Sequence, residues 1–128
     1  MQYPLLKQAI ITPLLPMMDL QGVSLVARGI VPSTKTEYGF LQLYYKDKGQ
    51  LKAQKATKNQ NYLSMRNAYI KRAWIPGAKM FKDDGSPTRR HLSLVAWAFS
   101  PDPKRLQRFI KDNELRNRNY TPFVGSLD

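Results

Sequence analysis

The sequence predicts an α+β fold: a single domain with an antiparallel sheet of about five strands and two helices, in the order β-β-β-α-β-β-α. Three observations point there. The run "VSLVARGIV" (Val23–Val31) is apolar and β-branched, the composition of a buried strand. Two polar turn signals, "KDKG" from Lys46 and "DDG" from Asp83, each sit between apolar segments, as hairpin tips do. Between them, from about Asn59 to Trp74, Tyr62, Met65, Tyr69 and Ala73 share one stripe at helical spacing.

Taken in order, the elements read as follows. Residues 1–20 are apolar and interrupted by Pro4, Pro13 and Pro16, which suggests an extended edge segment or an arm packed on the body or on a partner. Lys7 and the prolines, with no basic start before the apolar run, argue against a signal peptide or a membrane span. After the first strand, "PSTKT" supplies a turn. "EYGFLQLYY" (Glu37–Tyr45) alternates as a second strand, with Tyr38, Phe40, Gln42 and Tyr44 on one face and Gly39, Leu41, Leu43 and Tyr45 on the other. "QLKAQKAT" (Gln50–Thr57) returns from the Lys46–Gly49 turn as a third strand.

The first helix then runs to Trp74 and is stopped by Pro76 and Gly77. "AKMF" and "HLSLVAWAF" (His91–Phe99) read as two strands joined through "KDDGSPTRR". Ser100 or Asp102 caps a last helix with Pro103 in its first turn. There Leu106, Phe109 and Ile110 face the core, and Lys104, Arg105, Arg108 and Lys111 face away. Residues 116–128 read as a tail. In element order alone, Glu37 to Trp74 resembles the small DNA-binding modules that present a sheet to a groove, such as the arm-binding domains of tyrosine recombinases. No residue roles are carried over from that likeness.

Charge is the strongest functional signal. The 128 residues hold 21 Lys and Arg against 9 Asp and Glu, a formal charge of +12. Self-repulsion of that size disfavours a compact state, and a polyanionic partner relieves it. Nucleic acid is the first expectation, DNA slightly ahead of RNA. A larger protein of nucleic-acid metabolism is the alternative, with this chain as a phage- or plasmid-type inhibitor or adaptor anchored by its apolar N-terminal residues. Between Asp47 and Asp83 no acid occurs, while Lys48, Lys52, Lys55, Lys58, Arg66, Lys71, Arg72, Lys79 and Lys82 do. A run of that kind is a phosphate-binding surface in outline.

The expected contacts are Lys46, Lys48, Lys52, Lys55, Lys58, Arg66, Lys71 and Arg72, joined by Arg89 and Arg90 at the second turn, where guanidinium forks suit phosphate. Tyr44 and Tyr45, beside the first basic turn, are the rings placed to stack on unpaired bases.

Catalysis is not expected. There is no cysteine and one histidine, so thiolate sites and multi-histidine metal sites are excluded. Asp83 and Asp84 lack the companion acids of a metal-dependent nuclease, and their Asp-Gly sequence serves turn geometry. His91 opens an apolar segment and reads as structural. No glycine-rich phosphate loop and no nucleophile elbow occurs. No cofactor, metal or membrane is expected, and the expected compartment is the cytoplasm, of a host cell if the protein is viral.

Overall fold

A computed structural model of the chain describes residues 3–23, 39–46 and 62–115. Among them the architecture is helical: α1 (Gln8–Ile11), a 3-10 turn (Thr12–Leu14), α2 (Leu15–Leu20), α3 (Phe40–Lys46), α4 (Tyr62–Ala73), α5 (Arg89–Val95) and α6 (Pro103–Asp112). No strand occurs among the described residues, so the predicted five-strand antiparallel sheet is overturned, and the α+β class with it. The strands expected at Val23–Val31 and Gln50–Thr57 lie outside the described residues, apart from Val23 itself.

From Gln8 onward the N-terminal residues are helical rather than extended, and they pack on the body. Ile10, Ile11, Leu14, Leu15 and Met18 are all buried, and their spacing is that of one helical stripe. The prolines permit this because Pro13 and Pro16 stand in the first turns of the 3-10 turn and of α2. A missing N–H costs nothing there. Helix α2 ends in a left-handed stop: Gly22 has φ 66°, its N–H reaches Asp19 O (3.2 Å), and Val23 N–H reaches Met18 O (3.0 Å).

Helix α3 replaces the expected second strand. Phe40, Leu41 and Tyr44 are buried at helical spacing, and the rings of Phe40 and Tyr44 stack 5.8 Å apart at 13°. The Tyr44 hydroxyl donates to the Leu6 carbonyl. Gln8 Nε2 donates to Tyr44 O (3.3 Å), and the hydroxyls of Thr12 and Tyr45 share a 2.6 Å hydrogen bond. These contacts fasten α3 to α1. With α3 helical, the likeness of Glu37–Trp74 to a sheet-presenting DNA-binding module no longer holds.

Helix α4 falls where the spacing predicts it. Its most deeply buried row, however, is Arg66, Ile70 and Ala73, while Met65 and Tyr69 are half-buried. The chain then turns at Gly77 and forms a hairpin-like loop without strands. Phe81 and Pro87 make one isolated bridge, and Thr88 N–H donates to Met80 O at 3.1 Å. The expected turn is present: Gly85, at φ 91°, closes onto Lys82 O (2.9 Å), and Lys82 N–H returns to Ser86 O (2.7 Å).

Helix α5 replaces the strand expected at His91–Phe99. Thr88 caps it, its hydroxyl accepting from His91 N–H at 3.2 Å. His91, Leu92, Leu94 and Val95 are all buried, so the helix has an apolar side too wide to show a polar alternation. The helix stops in the same left-handed manner as α2, with Ala98 at φ 56° in the place that glycine usually takes. Helix α6 matches its prediction. Asp102 caps it, accepting from Arg105 N–H at 3.1 Å, and Leu106 is buried with Phe109 and Ile110 packed beside it. Its basic residues Lys104, Arg105, Arg108 and Lys111 are exposed.

One core joins these pieces. Leu6, Ile10, Ile11, Leu14, Leu15 and Met18 meet Phe40, Leu41 and Tyr44 from α3, and Leu92 to Ala98 from α5 and its turn. A smaller cluster of Ile70, Ala73, Leu94 and Phe99 joins α4 to α5.

Candidate nucleic-acid interface

The structure brings part of the basic set together where α4 ends and α5 begins. The Thr88 cap turns Arg89 and Arg90 outward in the first turn of α5 while His91 and Leu92 go inward. Arg90 Nη1 donates to the Ala73 carbonyl at 3.1 Å, and Arg89 Nη2 to the Gly22 carbonyl at 3.3 Å. Both carbonyls lie at the C-terminal ends of helices, where the backbone carries partial negative charge and a cation is favoured. Each guanidinium carries five N–H donors, so most remain for a ligand.

Between them lies a cleft of about 430 Å³ lined by Tyr69, Ala73, Arg89, Arg90 and Ser93. Among the described residues no carboxylate lines it. The Arg72 guanidinium stands 5.9 Å from the centre of the Tyr69 ring, one helical turn along α4, and Lys71 is exposed beside it. Helix α5 thus presents two arginines and a hydroxyl at this polar opening, and α4 an aromatic wall.

The other expected contacts divide. Lys46, by its side chain, and Lys48, Lys52, Lys55 and Lys58 lie outside the described residues. Arg66 is not a surface residue: it is 1% exposed. Its guanidinium donates to four backbone carbonyls, from Nε to Trp97, from Nη1 to Tyr3 (2.6 Å) and from Nη2 to Pro4 and Ala98 (both 2.8 Å). Burial lowers its pKa to about 10, partly offset by the nearby Tyr44 phenol, so it stays charged at neutral pH. Its charge is used inside the fold, because a buried guanidinium must be surrounded by acceptors.

Tyr44 is likewise core, and Tyr45 packs half-buried against it. Burial raises both phenol pKa values, so both are neutral donors rather than anions. In a strand the two rings would point to opposite faces. In a helix they lie about 100° apart, and here both turn to the α1 side.

The acidic loop is structural. Asp84 Oδ1 accepts from Ser86 N–H (2.9 Å) and Ser86 Oγ (2.6 Å), and these bonds, first the side-chain one, hold its carboxyl below the usual range. Asp83 pairs with Lys79 at 2.9 Å with both groups in solvent, an arrangement worth little. Among the described residues no three His, Asp or Glu side chains converge on a metal position, and no helix is long and apolar enough to cross a membrane.

Tyr69 and Ser93 are not among the contacts expected from the sequence. Tyr69 stands on the helical stripe of α4, and its spacing to Arg72, that of a helical neighbour pair, is the available signal. Ser93 carries none. No protein-family model, curated protein or solved structure matches the chain.

Proposed function

We propose that this chain is a small basic nucleic-acid-binding protein that holds phosphates and performs no chemistry of its own. The observation that carries this reading is the cleft walled by Arg89, Arg90, Tyr69 and Ser93, with no carboxylate among its described lining residues and Arg72 beside the Tyr69 ring. Arginine forks donate to phosphate bidentately, a serine hydroxyl adds a donor, and a ring beside them accommodates sugar or base. The exposed lysines and arginines of α6 extend the positive surface, and the formal charge of +12 supplies long-range attraction to a polyanion. DNA is the first ligand to test, RNA the second. The adaptor reading needs the apolar N-terminal residues as a free anchor, but Leu6, Ile10, Ile11, Leu14, Leu15 and Met18 are buried in the chain's own core.

The test is a binding titration across salt concentrations. Five to eight phosphate contacts at roughly 0.9 each give a log–log slope of about −4 to −7 on duplex DNA. Replacing Arg89 and Arg90 together with Ala reduces that slope by about 2 and weakens binding by about 1–3 kcal/mol, the scale of one or two charge-assisted contacts. A slope near zero in the parent protein defeats the reading. An unchanged slope in the double variant moves the site away from this cleft.

A further inference from the structure

A second concavity, of about 630 Å³, opens one residue further along the chain. Ala73 lines the arginine cleft, and Trp74 lines this cavity. Its aromatic wall is a three-ring cluster: Trp74 and Phe99 have centroids 5.2 Å apart, Tyr3 and Phe99 5.4 Å, and Tyr3 and Trp74 6.4 Å. Phe99 is buried, but Trp74 is 44% exposed, an unusual position for so large an apolar ring. Lys7 and Lys104 also line the cavity, and among the described residues no carboxylate does.

The wall is preformed. The Tyr3–Leu6 segment has no regular structure, yet Arg66 holds the carbonyls of Tyr3 and Pro4, and Leu6 N–H donates to Ala98 O at 2.7 Å. A rigid ring costs less entropy to use than a mobile one.

Resting on the nucleic-acid reading above, we propose that this cavity receives an unpaired base of a single strand, stacked on Trp74, while the adjoining phosphate lies toward Arg90. The Ala73 carbonyl that Arg90 holds belongs to the peptide group that joins Ala73 to Trp74, which links the guanidinium to the ring through one peptide. Every base has a π-face, so stacking here is tolerant of sequence. In a duplex those faces are covered by neighbouring bases, so the cavity discriminates against double strands. The lysines at its edge suit the flanking phosphates and disfavour an apolar cation.

The experiment is a fluorescence titration of the full chain with a short oligothymidylate, the corresponding oligouridylate and a duplex of equal length. Of the two tryptophans, Trp97 is only 6% exposed, so a ligand-dependent change reports Trp74. The expected result is quenching by both single strands and tighter binding of them than of the duplex. Trp74→Ala then weakens single-strand binding roughly 5- to 150-fold, the weight of one base on one ring. The same change leaves duplex binding and the salt slope as they were, and Trp74→Phe keeps most of the affinity. A melt of each variant accompanies the titration, and if Trp74→Ala lowers stability, the quenching and the Trp74→Phe arm decide. Equal binding of single and double strands with no quenching overturns this proposal while leaving the arginine cleft intact. No binding of any oligonucleotide removes the underlying reading as well.

Discussion

Ser100 Oγ lies 2.7 Å from Nε2 of His91, while Nδ1 of the same ring lies 2.8 Å from the Met80 carbonyl. A carbonyl can only accept, so Nδ1 carries the proton and Nε2 accepts from the serine hydroxyl. Ser100 Oγ in turn accepts from Asp102 N–H at 3.1 Å. The imidazole is 0% exposed and edge-on to Phe81 at 4.9 Å, so the pair ties the hairpin-like loop, α5 and the start of α6 together. A serine bonded to a histidine suggests a nucleophile. Here the ring is sealed in the core and serves as a neutral cross-link.

That cross-link predicts how stability depends on pH. Burial, the largest cause, lowers the His91 pKa below its ordinary 6.5, with the nearby Arg105 acting in the same direction and the Met80 bond and Asp102 opposing. The unfolded chain therefore binds the proton more readily. The His91 contribution is intact above about pH 6.5 and is lost as pH falls through the folded value. Urea unfolding at steps from pH 7.5 to 5.5 is expected to show falling stability for the parent and a flatter profile for His91→Gln. Parallel profiles would show that some other group titrates.

Arg66 makes the second prediction. Arg66→Met removes a donor from four carbonyls at once, of which the Ala98 carbonyl keeps the Leu6 N–H. A buried acceptor left unsatisfied costs about 1–3 kcal/mol, so the variant is expected to lose at least about 3 kcal/mol in denaturant unfolding. Arg66→Lys recovers only a part, because one ammonium has three donors at a single point, whereas the guanidinium spreads its donors over the Tyr3–Pro4 and Trp97–Ala98 segments. A loss under about 1 kcal/mol would mean that water replaces the guanidinium.

The third concerns the ends of α5 and α6. Glu114 sits at φ 53° in an exposed left-handed position, with its N–H on Lys111 O (3.1 Å) and Leu115 N–H on Ile110 O (2.9 Å). Glu114→Gly relieves a strain of about 1 kcal/mol and removes an anion from a helix C-terminus, so its melting temperature is expected to rise. Ala98→Gly relieves the same strain but deletes a fully buried methyl, worth about 0.8 kcal/mol, and is expected to be near neutral. Calorimetry of the two variants checks the contrast. Equal shifts would refute it.

What could be read from the sequence followed from local chemistry. The Asp102 cap with Pro103 behind it marked α6, and Asp84–Gly85 marked the turn, because each rests on residues a few positions apart. Helix α4 was legible from its spacing, although Arg66 on its buried face was not: a lone arginine looks the same whether it meets water or four carbonyls. "HLSLVAWAF" failed for a different reason. A helix buried on nearly every side has no polar period to display, so an apolar run of that length fits a strand equally well. "FLQLYY" failed because alternation over six residues also satisfies i, i+4 pairing. At the interface, Arg89 and Arg90 were visible as a doublet beside a turn, but their meeting with Tyr69 depends on how α4 packs on α5, which no local pattern records.

The fastening of Tyr3 and Pro4 by Arg66, and of Leu6 by Ala98, also sets an order of events during synthesis. The early helices emerge from the ribosome first, yet α3 supplies only part of their cover, and the rest comes from residues 66 to 98. Until that stretch has left the exit tunnel, the apolar stripe from Ile10 to Met18 lacks the rest of its native cover. The growing chain therefore passes through an interval in which apolar surface is open to its neighbours, and the chain's positive charge opposes their association.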